Sequence, residues 1–169
     1  MGLCNLITGV NDFEELLSLS NEGDDRKIDL FVKDIYGGAE TPHLDLDSSS
    51  LAISLGKLKE DNLDYKFRKN HQKSFKFKYN RKSDIILSLL HMIAFNIGQV
   101  SYLVAKLHKI DRVYFAGNFI RNHEETMDCI NYAFDFFAQK DEDKKMAVFL
   151  THDGYLGALG SLLVSQDNL

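Results

Sequence analysis

Gly117-Asn118 is the dipeptide of this sequence best placed to touch a ligand. It follows Arg112 to Ala116, a short β-branched and aromatic run that reads as a buried strand. In open α/β sheets ligands gather at the carboxyl ends of strands. Glycine there lets the backbone approach a ligand closely, and the asparagine amide both donates and accepts hydrogen bonds. Gly-Asn is also an ordinary turn, so taken alone it does not separate the two roles. A second glycine pattern, Gly154-x-x-Gly157-x-x-Gly160, puts small residues on one helical stripe. That spacing fits close helix packing as well as phosphate contact. His152 and Asp153 suggest acid–base work, yet neighbours in a turn need not face each other, and capping or solvated roles suit each better. His91, His108 and His123 have no metal-ligand spacing. Cys4 and Cys129 form no CxxC pair, which argues against a zinc site or a disulfide framework and for a reduced, intracellular protein.

The elements that must position these residues are clearest in the second half. Ser83-Asp84 can cap a long helix to about His108. After the strand at Arg112 to Ala116, helix signals return at His123-Glu124 and run to about Gln139. Ala147 to Thr151 predicts a second strand, and the stretch after Gly154 a last helix. Helix, strand, helix, strand, helix implies a mostly parallel sheet with helical cover. In the first 56 residues, Asn11-Asp12-Phe13-Glu14 reads as a helix start, with the helix running to about Leu19. Ile28, Phe31, Val32 and Ile35 repeat at helical spacing, predicting a short helix up to Gly37-Gly38. Leu51 to Leu55 is too short for periodicity to decide its type.

The 169 residues are 44% hydrophobic and carry a net charge of −5, so the chain as a whole is not built for polyanions. No run of 18 apolar residues occurs, and Ile85 to Val104 is broken by Ser88, His91, Asn96, Gln99 and Ser101. It reads as a buried helix of a soluble protein, with no membrane partner expected. Residues 57–83 differ from the rest: between Tyr65 and Ser83 there is no acid, and eight Lys or Arg alternate with Phe67, Phe75, Phe77 and Tyr79. Charge interleaved with rings is what a single-strand nucleic-acid surface uses. A solvated loop inserted between two elements fits the same composition, no nucleic-acid motif is present, and a loop is the expectation.

Six segments together resemble the eukaryotic-type (type II) pantothenate kinases. They are Gly2-Leu3-Cys4-x-Leu6-x-Thr8-Gly9, Val32-Lys33-Asp34-Ile35-Tyr36-Gly37-Gly38, Asn96-Ile97-Gly98, Ile110-Asp111-Arg112-Val113-x-Phe115-x-Gly117-Asn118-Phe119-x-Arg121, Tyr132-Ala133-x-Asp135-Phe136, and Phe149-Leu150-x-His152-x-Gly154-Tyr155-x-Gly157-Ala158-x-Gly160. Their order and separation cover the chain except residues 57–83. The resemblance implies an actin-like, hexokinase-like ATPase fold, α/β with a mostly parallel sheet. Residues 1–56 would begin the C-terminal kinase lobe and 84–169 complete it, with 57–83 as a basic aromatic insertion. It implies ATP- and Mg-dependent phosphorylation of pantothenate, the first step of coenzyme A synthesis, with acyl-CoA feedback, in a cytoplasmic dimer.

The same resemblance implies which residues matter. Gly117 and Asn118 match the nucleotide-side turn; Leu51, Ala52, Ala133 and Phe137 match the apolar wall around the pantothenate or acyl-CoA arm, and Arg121 is kept beside it. Phe137 stands where the family usually has Trp, and Tyr102 where it has Arg. The family's phosphate loop, catalytic carboxylate and pantothenate-gripping arginine have no match in these 169 residues. The expectation is a C-terminal part that holds no Mg ligands and does not turn over alone. The alternatives are a non-catalytic relative that associates with a full-length kinase, and a nucleic-acid-binding protein acting through residues 65–82.

Overall fold

Asp12 shows how local chemistry starts the fold. Its carboxylate accepts from the Glu15 amide at 2.9 Å, and helix α2, Phe13–Ser20, begins at the next residue. The computed structural model describes residues 1–37, 47–58, 63–67, 73–77, 82–120, 123–139, 141, 144–151 and 154–167, with 63–67 and 73–77 described by backbone. They divide into two units, Met1–Met92 and Ile93–Leu169.

The first unit opens with α1, Gly2–Thr8, a helix not anticipated from periodicity. Cys4 and Thr8 are buried on one side of it, and the Thr8 hydroxyl donates to the Cys4 carbonyl at 2.8 Å. The helix expected from Ile28 starts later. Leu30–Phe31 is strand β1, and α3 spans Val32–Tyr36. The Asp34 carboxylate accepts from the Phe31 amide at 3.0 Å, which fixes the helix start there, and the chain before it pairs as a strand. Its antiparallel partner is β2, Leu51–Ile53. Cys4, Val10, Leu16 and Ile28 pack with Ile85, Ile86 and Leu89 as the core of this unit. The last three come from α4, Lys82–His108.

Asp84 does not cap α4 as its position suggested. Buried in the first turn, it accepts from the Asp24 backbone amide at 2.9 Å and so ties a distant loop to the helix. α4 passes through both units and is long and apolar enough to cross a membrane, but half of its most apolar window is buried inside the protein.

Residues 57–83 are not wholly a loop. β3, Leu63–Phe67, pairs antiparallel with β4, Lys73–Phe77. The alternation of aromatic and polar residues is the period-two pattern of a strand. In the register Leu63 faces Phe77 and Tyr65 faces Phe75, while Asp64 faces Lys76 and Lys66 faces Ser74. Phe67 faces Lys73, so the register places aromatic and basic residues together at that end of the hairpin. The segments at 59–62, 68–72 and 78–81, with Arg68, Lys69, Lys78, Tyr79 and Arg81, lie outside the described residues.

The second unit follows the order expected from sequence: β5, Arg112–Phe115; α5, Glu124–Ala138; β6, Met146–Phe149; α6, Leu156–Asp167. β5 and β6 pair parallel, Arg112 with Met146 through Phe115 with Phe149. The described sheet is therefore a two-stranded parallel ribbon rather than a broad one. Its core joins Phe115, Ile120, Ile130, Phe134 and Ala138 to Ala94 and Tyr102 of α4.

Candidate functional site

The carboxyl edge of β5 and β6 is built by the ladder itself. The Leu150 amide donates to the Phe115 carbonyl at 2.9 Å, carrying the parallel pairing to the end of both strands. Phe115 is buried there, stacked on Phe149 with centroids 5.5 Å apart and edge-on to Phe134 at 5.9 Å. β5 then stops and Gly117 turns the chain at φ 107, which a side chain would strain. The Ile120 amide donates to the Gly117 carbonyl at 3.1 Å, and the His123 amide to the Ile120 carbonyl at 3.1 Å. With the Ile120 side chain plugged into the core, the turn is held from below, and Asn118 is left exposed at the top.

A Cβ added at Gly117 would meet nothing within 4 Å. The turn thus offers open space and an exposed amide side chain, the geometry that accepts a polar ligand at a strand's carboxyl end. α5 begins at the same edge. His123 occupies its N-cap position, buried, with its Nδ1 hydrogen-bonded to the Thr126 hydroxyl. Glu124 and Glu125 sit in the first turn of α5, where their charge complements the helix dipole.

The other candidates separate by unit. Leu51 and Ala52 lie on β2 of the first unit, both exposed. Leu30 pairs with Ile53 and Phe31 with Leu51, so Ala52 has no partner in the register and forms a β-bulge. Ala133 and Phe137 share a face of α5 in the second unit, one turn apart. Ala133 is fully buried; Phe137 belongs to a ring cluster with Phe95 at 6.1 Å, Tyr102 at 6.3 Å and Phe136 at 5.2 Å. Arg121, His152 and Asp153 lie outside the described residues. Gly157 and Gly160 are on α6, where added Cβ atoms would meet no neighbour within 4 Å, so neither glycine serves a close helix contact among the described residues.

Several polar groups escaped sequence reasoning because their partners are remote in the chain. Asp29 is fully buried and accepts from the Ser88 hydroxyl at 2.5 Å and the Leu55 amide at 2.7 Å. Burial pushes its carboxyl above the ordinary range, and these two donors offset part of that. Asp25 holds His91 Nδ1 at 2.9 Å. Asp141 receives Lys106 and the Tyr102 hydroxyl, each at 2.5 Å, and these two donors hold its carboxyl below the usual range. The one local signal was Asp29 itself, a lone carboxylate in the apolar run Ile28 to Val32. Among the described residues no group of His, Cys, Asp and Glu converges to hold a metal ion, so these residues do not fit a Mg site.

A parallel strand pair with helical cover defines an α/β protein. The sequence profile of the Fumble family matches residues 1–164, and the chain belongs to that family. It is 44% identical over 165 residues to pantothenate kinase 2 of Oryza sativa subsp. japonica, covering 96% of this chain and 16% of that protein. It is 40% identical over 167 residues to pantothenate kinase 1 of Arabidopsis thaliana, covering 99% of this chain and 40% of that protein. It is 41% identical over 169 residues to a protein named 4'-phosphopantetheine phosphatase in Mus musculus, covering 99% of this chain and 18% of that protein. The chain therefore spans well under half the length of these curated relatives. The family read from the six segments is the family found.

Proposed function

We propose that these residues are the C-terminal kinase lobe of a pantothenate kinase, with an actin-like, hexokinase-like fold. The whole protein would transfer phosphate from ATP to pantothenate, giving 4'-phosphopantothenate at the start of coenzyme A synthesis. The observation that carries the reading is 40–44% identity to relatives named pantothenate kinase, running through 96–99% of the chain. In this reading Gly117 and Asn118 face the nucleotide, because the turn is open and its glycine is not walled in. The resemblance assigns Leu51 and Ala52 of the first unit, and separately Ala133, Phe137 and Arg121 of the second, to the pantothenate and acyl-CoA arm. Mg would be held by residues of the longer protein. Phosphoryl transfer needs held phosphates, a metal and an oriented hydroxyl, and the described residues supply at most the first in part. The two free cysteines accord with the cytoplasm as the place of this chemistry.

The test supplies ATP, Mg and pantothenate to the purified chain, and separately to a chimera carrying this chain in place of the matching segment of the Arabidopsis kinase. No phosphopantothenate from the chain alone and robust formation by the chimera are expected. A folded but inactive chimera would overturn the reading.

A second reading is self-association or docking on a full-length kinase. It is favoured by the apolar residues Val100, Leu103, Val104 and Leu107 of α4 and Leu159, Leu162, Leu163 and Val164 of α6, all exposed in the described structure.

A further inference from the structure

Asp29 and Leu55 form a pairing that the proposed function does not explain. A leucine with φ near 60 is rare, because its Cβ crowds the following carbonyl. Here the conformation is clamped from several sides. The Leu55 amide donates to Asp29 Oδ1 at 2.7 Å. The Lys57 amide donates to the Ile28 carbonyl at 2.8 Å, and the Lys57 ammonium reaches Asp34 at 2.6 Å and the Arg26 carbonyl at 2.8 Å. The Gly56 amide donates to the Ile53 carbonyl at 3.2 Å, joining the turn directly to the end of β2.

Asp29 is a costly way to make such a clamp. It is fully buried, and its Oδ2 has no hydrogen-bond partner among the described residues. A half-satisfied buried carboxylate weakens a core rather than strengthening it. Backbone strain that the surroundings hold in place clusters at ligand sites, and here it lies close to a bulge that re-aims a strand. The strand in question is β2, with the bulge at Ala52 and the strained turn two residues after its end.

We infer that Asp29 is a positioning residue for the pantothenate arm: by holding Leu55 in the left-handed turn it fixes β2, so that Leu51 and Ala52 present their side chains to the ligand. The inference rests on the proposed function for the identity of the ligand and on the geometry above for the residue.

The experiment has two arms, the first on the whole chain and the second on the chimera with the Arabidopsis kinase described above. Without ligand, amide exchange over residues 51–57 is compared in wild type, Asp29→Ala, Asp29→Asn, Leu55→Gly and Asp29→Ala/Leu55→Gly. Asp29→Ala should exchange about tenfold faster there, with β5 and β6 unchanged. Asp29→Asn keeps an acceptor and should stay near wild type. The double variant should recover, because glycine holds the left-handed turn without a clamp. In the second arm pantothenate is titrated while the Ala52 methyl resonance is followed; Asp29→Ala should weaken the response about tenfold and the double variant restore it. If Asp29→Ala fails to fold while the double variant folds, the clamp is supported; if neither folds, the clamp is overturned. Unchanged exchange in Asp29→Ala overturns the role of Asp29 and leaves the pantothenate wall standing. Altered exchange with no Ala52 response in wild type overturns the wall, and reduces Asp29 to a structural clamp.

Discussion

A Cβ placed on Gly98 would stand 2.6 Å from the Cβ of Ala133, and 3.1 Å from the Ile130 carbonyl oxygen. Real Cβ atoms do not approach so closely, so α4 and α5 meet at a point where one partner must lack a side chain. Ala133 is fully buried at that crossing, and its small size follows from packing whatever else it lines.

Gly98→Ala pits two effects against each other. Alanine favours the helix by about 1 kcal/mol, while overpacking a tight crossing costs about 1–3 kcal/mol. Neither opposing atom is the end of a flexible side chain, so overpacking wins. Urea unfolding should show a net loss of up to about 2 kcal/mol; a gain in stability would mean that the helices can separate without cost.

Asp29 sets a pH dependence of definite sign. Its folded carboxyl titrates above the ordinary aspartate value of about 3.8, so as pH rises the unfolded chain ionises first. The folded state then binds more protons, and its contribution to stability falls with pH from about 3.8 up to the raised folded value, then levels. The difference in stability between wild type and Asp29→Asn should decline across that window. A difference that is flat, or that rises with pH, would contradict the buried carboxyl.

Self-association can be tested at two residues of α4 that periodicity could not tell apart. Met92 packs against the first core, whereas Leu103 is exposed. Leu103→Glu should change stability by no more than about 0.5 kcal/mol and shift sedimentation from dimer towards monomer. Met92→Glu should unfold the first unit, seen as a lost transition. A wild-type chain that sediments as monomer at high concentration would remove the second reading.

The β3–β4 hairpin supplies a simple deletion. Replacing residues 64–80 by a short turn should leave the cooperative unfolding transition in place, since the core residues described in both units lie outside it. Salt-sensitive affinity for single-stranded oligonucleotides should be absent from the intact chain. A steep salt slope, lost on deletion, would return the basic segment to a nucleic-acid role.

What the sequence determined alone was local in origin. The helix cap at Asp12, the strand read at Arg112 to Ala116 and found at Arg112–Phe115, the glycine turn at Gly117 and the order of the last five elements all follow from neighbours within a turn or a strand. The six motifs also carried the family, because their order and separation are properties of the chain. The tertiary structure decided the rest. Only the pairing of Leu30–Phe31 with Leu51–Ile53 turned an apparent helix start into a strand and made Ala52 a bulge. Only the arrival of Ser88, 59 residues away, and of the Leu55 amide gave Asp29 its partners. Periodicity reports which face of an element is apolar, but not which distant amide or hydroxyl will meet a carboxylate once the chain has closed on itself.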